Sequence, residues 1–304
     1  MHWLLSVPDT FSLREVIRRS GWLLYPPFHV QTLGDRLLRI EQLGGKTTVG
    51  LTVYQAPAGL VVQAEPHLSA AEVEEASQKV WHMLRLDENI QPFLRGARYH
   101  EALKSVKRTG ARLLRGVDLF EHVTVSTLVT WDPHGMPQFE RVAGLINRLG
   151  FSLPRNPTLH SFPTPERILA RSQSLNNVFT PDIVTRLTRI AQTFTTQLAR
   201  IDLLVRQPID ANELAARLAE ELLLDEPGVG LLMLYLGRYD YIPTDSVAQR
   251  RVGEHWQECA PVPKQEIAAF FDRWQPWSGL AYWLWDWSKV PTATTNATPV
   301  STSG

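Results

Sequence analysis

The sequence predicts a mostly α-helical protein with a small α+β domain at its N-terminus. Three observations predict it. First, the segments RLLRIEQ, KTTVGLTVYQA and GLVVQAE crowd the first 65 residues. They are alternating or β-branched, and Gly44-Gly45 and Pro57-Ala58-Gly59 separate them as hairpin turns would. Second, from about residue 88 to 288 the apolar spacing turns helical and no strand-like pattern interrupts it. Third, 304 residues at 44% hydrophobic and 20% charged suffice for one large domain or two ordinary ones with a sizeable core. The expected division is an α+β domain over 1–92, a helical domain over 93–288 and a disordered polar tail over 289–304.

Each element has its own local signal. The start, MHWLLSVPDTFSLREV, has no basic region and no small-residue cleavage site, so it reads as mature protein. A helix opens at Ser69, which forms a capping box with Glu72, and Val73, Ala76, Val80, Met83 and Leu84 make its apolar stripe. Helices follow over 120–130 and 137–149. Thr164-Pro165 and Thr180-Pro181 start two more, the second running to about 200, each with proline at the first helical position. Asp210 with Glu213 opens a helix toward Leu224, and segments 266–274 and 280–287 close the set. No internal repeat is present.

Composition excludes several chemistries. One cysteine, Cys259, rules out a disulfide framework and Cys-rich metal sites, and it fits a reducing cytoplasm. The formal net charge is zero and the pI about 7.1, which argues against bulk-charge binding of polyanions but leaves local phosphate contacts open. No apolar run reaches membrane-span length. None of the nine histidines forms an H-E-x-x-H pair, and neither a G-x-S-x-G elbow nor a Walker A loop occurs. There is no lysine between Lys107 and Lys264, so arginine carries every fixed positive charge in that half.

One stretch, EPGVGLLMLYLGRYDYIPTDSVAQRRV at 226–252, concentrates the chemical candidates. Gly228-Val229-Gly230 lacks the third glycine of a dinucleotide motif, because position 233 is Met233. It is either an ordinary helix-end turn or a helix-hairpin-helix whose amides donate to a DNA phosphate. Thr244 or Asp245 caps the helix SVAQRRV, and an ionised Asp245 there could also steady a developing cation or activate water. The run RWQPWSGLAYWLWDW carries Trp274, Trp277, Trp283, Trp285 and Trp287; such aromatics are core packing or a pocket for an extruded base. Trp131, in VTWDPHGM, is a buried anchor or a wedge into a DNA stack.

These segments resemble a known family. PGVG followed by LLMLYLGRYDYIPTDS is similar to the helix-hairpin-helix and Gly/Pro-Asp signature of the DNA glycosylase superfamily (HhH-GPD), nearest to its 3-methyladenine and 8-oxoguanine branches. GARLLRGVDLFEHVTVSTLV at 110–129 looks like the family's entry helix, and FFDRWQPWSGLAYWLW at 270–285 like its closing helix. The resemblance spans about 30–288 and implies a helix-hairpin-helix DNA glycosylase fold working in base excision repair. A nucleotide is flipped, its base held between aromatics, and its N-glycosidic bond cut.

Asp245 would be catalytic; Gly228, Val229, Gly230 and Trp131 would contact DNA; Tyr235, Tyr241, Trp283 and Trp285 would form the base pocket. The hairpin lysine that lets some members also cut the strand is missing, which implies hydrolysis without lyase activity. The implied partner is double-stranded DNA containing damaged bases, met by a monomer in the cytoplasm and nucleoid, with no membrane. The resemblance implies no cofactor or metal, a monovalent cation at the hairpin being left open. There are departures. Gly230 and Asp245 are only 15 positions apart, so either the second helix is shortened or the hairpin proper is 222–225. VTWDPHGM lacks the usual glutamine, and the arginine of the closing motif is Ser278. The alternative function is a lesion-binding module that retains the fold but cuts nothing.

Overall fold

The computed structural model describes residues 1–31, 35–108, 112–256 and 261–287. Cys259 and the expected tail fall outside them, as do the first two residues of the 110–129 motif. The N-terminal segments form one antiparallel sheet of β1 (His2–Leu5), β2 (Phe28–Gln31), β3 (Arg36–Leu43), β4 (Thr47–Ala56) and β5 (Gly59–Glu65), in the order β1-β5-β4-β3-β2. Alternation puts Val49, Leu51 and Val53 of β4 on the buried face with Leu60, Val62 and Ala64 of β5. Helices α1 (Leu13–Arg19) and α2 (Ala70–Met83) cover that face. The Ser69–Glu72 capping box forms as expected, and Ala76, Val80 and Met83 are fully buried.

Helix α3 (Gln91–Ala97) runs through the expected 92/93 boundary, so the chain passes into the helical part without a linker. There α4 (Leu119–Leu128), α5 (Glu140–Leu149), α6 (Pro165–Ala170), α7 (Pro181–Thr196), α8 (Leu198–Arg206), α9 (Ala211–Leu222), α10 (Glu226–Tyr235), α11 (Ser246–Trp256), α12 (Lys264–Phe271) and α13 (Ser278–Leu284) share one apolar core with the sheet. The expectation of uninterrupted helix fails at two places. Residues 137–138 are not helical: β6 (Thr130–Trp131) pairs with β7 (Pro137–Gln138), because the Asp132–Gly135 turn takes the chain back on itself. A second ribbon, β8 (Ser152–Leu153) with β9 (Asn156–His160), lies against the sheet, with Leu153 Cδ2 3.7 Å from where a side chain on Gly50 would begin. The helix from Thr180 also stops early, at Thr196, and α8 continues after a break at Gln197. Among the described residues no helix is long and apolar enough to cross a membrane.

The 110–129 motif does structural work. Glu121, 1% exposed, accepts from Arg39 Nη2 at 2.6 Å, Arg39 Nη1 at 3.2 Å and the Tyr25 hydroxyl at 2.9 Å, tying α4 to the sheet. Arg115 grips Asp87 at 2.7 and 2.9 Å and Glu88 at 3.2 Å. Each of these buried charges therefore meets an opposite charge with good geometry, the condition under which such groups are tolerated inside a protein.

Candidate active site

The hairpin is not where its glycines are. Helix α9 ends at Leu222, Leu223 takes the left-handed conformation (φ 55°), and α10 begins at Glu226 behind its cap, Asp225. The turn is thus 223–225, matching the second of the two placements, while Gly228, Val229 and Gly230 lie buried within α10. Gly228 is glycine because α10 crosses α4 closely: a Cβ there would stand 2.5 Å from the Ser126 carbonyl oxygen. Its amide, expected to meet a phosphate, already donates to Asp225 Oδ1 at 2.8 Å. With Glu226 adjacent, this helix start is acidic, and its dipole is met by the chain's own carboxylates rather than left for an anion.

Fifteen residues beyond Gly230, the second helix start is built differently. Gly237 (φ 73°) ends α10, and the following bend is bolted to α13: Gly279 N donates to the Tyr239 carbonyl at 2.7 Å, and Tyr239 stacks on Trp277 at 5.5 Å. Gly279 is required there, since a Cβ would fall 2.0 Å from the Tyr241 carbonyl oxygen. Pro243 and Thr244 then deliver Asp245 to the N-terminus of α11. Asp245, not Thr244, is the cap. Its Oδ1 accepts the amides of Val247 and Ala248 at 2.8 and 3.1 Å. Among the described residues no hydrogen bond reaches its Oδ2, which faces the side-chain-free flank of Gly230, 3.8 Å from where a Cβ would sit.

Asp245 is 5% exposed. Burial raises its pKa above the ordinary 3.8, the amides of Ala248 and Val247 oppose that, and the charge of Glu226 adds to it. Two phenols feel its field. Tyr241, half-buried, is pushed to about 12 by burial, then by Asp245 and Glu226. Tyr282 reaches about 12 through burial, with Arg251 opposing and Asp245 adding.

The other expected site residues divide. Trp131, half-buried on β6, stacks on Trp283 of α13 (6.3 Å, 28°), and Trp283 stacks on Trp22 from the N-terminal part (5.4 Å, 12°). The three indoles form a column beside the β6–β7 turn. That turn also touches α11: Gly135 lies where a Cβ would be 3.1 Å from Val247 and 3.4 Å from Arg251. Trp131 thus sits at the edge of the Asp245 region. Tyr235 does not. It is fully buried in α10 and stacks on His122 (5.2 Å, 20°) in the core. Trp285 donates from Nε1 to His255 Nε2 at 3.2 Å and packs among Phe270, Phe271 and Trp274, all 5.3 Å away. Of the four aromatics expected to form a pocket, Tyr235 and Trp285 lie in the core, Tyr241 feels the charge of Asp245, and Trp283 stands in the indole column; Tyr282 and Trp22 join these two sets without having been singled out in the sequence.

Two basic residues were also missed. Lys264 closes the lysine-free stretch, and the fold brings its Nζ to Glu226 at 3.1 and 3.2 Å, beside the hairpin. Arg251 lies on α11 between the β6–β7 turn and α13. Ser278, standing where the resemblance expects arginine, is fully buried and offers no charge. Among the described residues no cluster of three or more His, Cys, Asp or Glu side chains is arranged to hold a metal ion.

No family model and no curated protein sequence matches this chain. Solved structures do. The chain is similar to the 3-methyladenine DNA-glycosylase from Archaeoglobus fulgidus (TM-score 0.70, 18% identity, covering 93% of this chain and 96% of that one). It is also similar to the 8-oxoguanine glycosylase/lyase from Clostridium acetobutylicum in its apo form (0.65, 15%, 90% and 92%). The same enzyme bound to double-stranded DNA with cytosine opposite 8-oxoguanine superposes as well (0.62, 14%, 95% and 97%). These likenesses, over almost the whole length of both partners, establish the fold as that of the helix-hairpin-helix DNA glycosylases.

Proposed function

We propose that this chain, which has the helix-hairpin-helix DNA glycosylase fold, is a monofunctional DNA glycosylase acting on alkylated or otherwise modified purines in double-stranded DNA. The observation that carries the reading is the divided carboxylate of Asp245. One oxygen is fixed by two helix amides, while the other lies against the flank of buried Gly230, and Tyr241 and Tyr282 are near enough to feel the charge of the carboxylate. A group so held needs no rearrangement to stabilise the oxocarbenium ion that develops as the glycosidic bond breaks, or to orient the attacking water. The base leaves as the bond to the sugar carbon breaks, water supplies the oxygen at that carbon, and an abasic site remains. Only ionised Asp245 can act this way. Because its pKa is raised, the acid limb of the excision rate is displaced upward from the ordinary aspartate value of 3.8, and activity rises as pH passes through it.

Hydrolysis rather than strand cutting is supported by the absence of lysine from α9, the hairpin and α10. Lys264 is the residue that tests this point, since it reaches the hairpin from α12. Borohydride added during turnover should trap no covalent protein–DNA product. Trapping that disappears in Lys264→Ala would make the protein a lyase as well.

The decisive experiment is single-turnover excision on duplexes carrying a panel of modified purines, wild type beside Asp245→Asn. Loss of excision with binding retained supports the enzyme. A lesion-binding module without catalysis is the second reading, favoured by the capping role that Oδ1 already fills. Binding to the duplexes with no excision from any of them would establish it.

A further inference from the structure

Arg39, Arg85 and Arg115, the buried arginines among the described residues, are all paired, whereas the half-buried Arg251 is not. Arg39 meets Glu41 and Glu121, Arg85 meets Glu88, and Arg115 meets Asp87 and Glu88, all between 2.6 and 3.2 Å. Arg251 meets no carboxylate within ion-pair distance among the described residues. Its guanidinium lies 4.9 Å over the Trp287 ring and 5.9 Å from the Tyr282 ring, with Nη2 3.6 Å from Met136 Sδ and the Tyr282 hydroxyl as its polar neighbour. The acid whose field reaches it, Asp132, turns its Oδ1 to the amides of His134 and Met136 at 2.9 and 2.8 Å and forms no ion pair with it.

Desolvation without a partner works against the charged form, and stacking on aromatic faces recovers only part of the loss. Yet the surroundings hold the side chain firmly. Gly135 lets the β6–β7 turn pack against its stem, since a Cβ there would stand 3.4 and 3.5 Å from Arg251 Cβ and Cδ, and Tyr282 feels both Arg251 and Asp245. A preorganised guanidinium with unspent donors suits a phosphodiester oxygen, to which it can present two parallel N–H groups. The usual recipient in such a hairpin is closed here, because Asp225 occupies the Gly228 amide.

Building on the DNA reading above, we infer that Arg251 is the phosphate anchor of the site. It binds a backbone phosphate flanking the extruded nucleotide and sets the sugar against Asp245, doing from α11 what the acidic start of α10 cannot do.

The test is equilibrium binding to a duplex containing a tetrahydrofuran abasic analogue, which cannot be excised. It is measured across a potassium chloride series for wild type, Arg251→Met and Arg251→Lys, with single methylphosphonates placed in turn at the phosphates flanking the analogue. Methionine keeps the stem's packing and removes the charge. The inference expects Arg251→Met to lose about tenfold or more in affinity and to flatten the salt slope by about one, with lysine recovering part of both. One methylphosphonate should weaken wild type by a similar factor and leave Arg251→Met unaffected.

An unchanged salt slope in a variant that melts like wild type would overturn the inference and make Arg251 a packing strut. Should Arg251→Met fail to fold, the scan on wild type alone still decides, because insensitivity at every flanking phosphate overturns the anchor. Binding to an uncleavable duplex does not depend on Asp245 chemistry. Loss of the anchor with excision intact, or loss of excision with the anchor intact, therefore identifies which of the two readings has failed.

Discussion

Asp210 and Asp245 cap their helices with nearly the same geometry and differ in surroundings. Asp210 Oδ1 accepts amides two and three residues ahead at 2.8 and 3.2 Å; Asp245 Oδ1 accepts amides two and three residues ahead at 2.8 and 3.1 Å. Asp210 is open to solvent, and its amide bonds hold its pKa below the usual value. Asp245 is enclosed, and burial pushes its pKa up despite the same pair of bonds. Cap geometry alone therefore says nothing about chemistry. What marks Asp245 is that the fold keeps a carboxylate where ionising it is costly, leaves one oxygen unbonded, and places a glycine opposite that oxygen.

The largest expected effect contrasts the two caps directly. Asp245→Asn keeps a competent capping side chain but removes the charge, so excision should fall by about a hundredfold or more, of the order of 3 kcal/mol in the barrier. Asp210→Asn makes the same chemical change at a matched cap and should leave single-turnover excision at the wild-type rate. A comparable fall in both variants would break the comparison, because it would trace the loss to helix capping rather than to charge at the site.

The two glycines of α10 sharpen it next. Gly228→Ala drives a methyl toward the Ser126 carbonyl, 2.5 Å away, so α10 and α4 must separate. A cost of about 1–3 kcal/mol is expected, seen as a lowered melting temperature. Gly230→Ala meets only Pro243 at 3.4 Å and Asp245 Oδ2 at 3.8 Å, and alanine is the better helix former. Its fold should hold while the methyl occupies the space beside the open oxygen, slowing excision by about tenfold, a little over 1 kcal/mol. Full activity in Gly230→Ala would show that substrate does not approach from that side.

How much of this was legible in the sequence depended on how local each signal was. Ser69 with Glu72, Thr164 before Pro165, and Asp210 before Glu213 were readable because a cap and the amides it satisfies lie within three residues. Asp245 was readable as a helix start for the same reason. Its burial was not, since that depends on distant parts of the chain such as the Gly230 flank of α10 folding against it. Gly228-Val229-Gly230 misled because a glycine that admits a phosphate and one that admits a neighbouring helix look alike in sequence; Ser126, more than a hundred residues earlier, decides between them. The alternating run of tryptophans gave no sign that Trp283 and Trp285 turn to opposite partners, Trp22 and Trp131 on one side, His255 and Phe271 on the other. Lys264 is invisible to lysine spacing along the chain, because it reaches the hairpin only through the packing of α12 against its neighbours.

The smallest expected effect gives the sharpest test of the comparison, because it is a difference of sign. A carboxyl whose folded pKa is lowered, as for Asp210, contributes stability that is present above the ordinary value of 3.8 and is lost as pH falls through the lowered pKa. A carboxyl whose folded pKa is raised, as for Asp245, does the reverse. Its ionised form is a net cost above the raised pKa, and that cost disappears as pH falls below 3.8, where the group is protonated in both states. Asparagine, a good cap at either place, removes the titration without removing the hydrogen-bond acceptor. In paired melting curves, Asp245→Asn should melt above wild type at neutral pH and converge with it in acid. Asp210→Asn should melt below wild type at neutral pH and also converge in acid. Two curves of the same sign would place Asp245 with the ordinary caps, whereas opposite signs would mean that the fold gives up stability to hold an ionised carboxylate beside Gly230, a cost that capping alone does not account for.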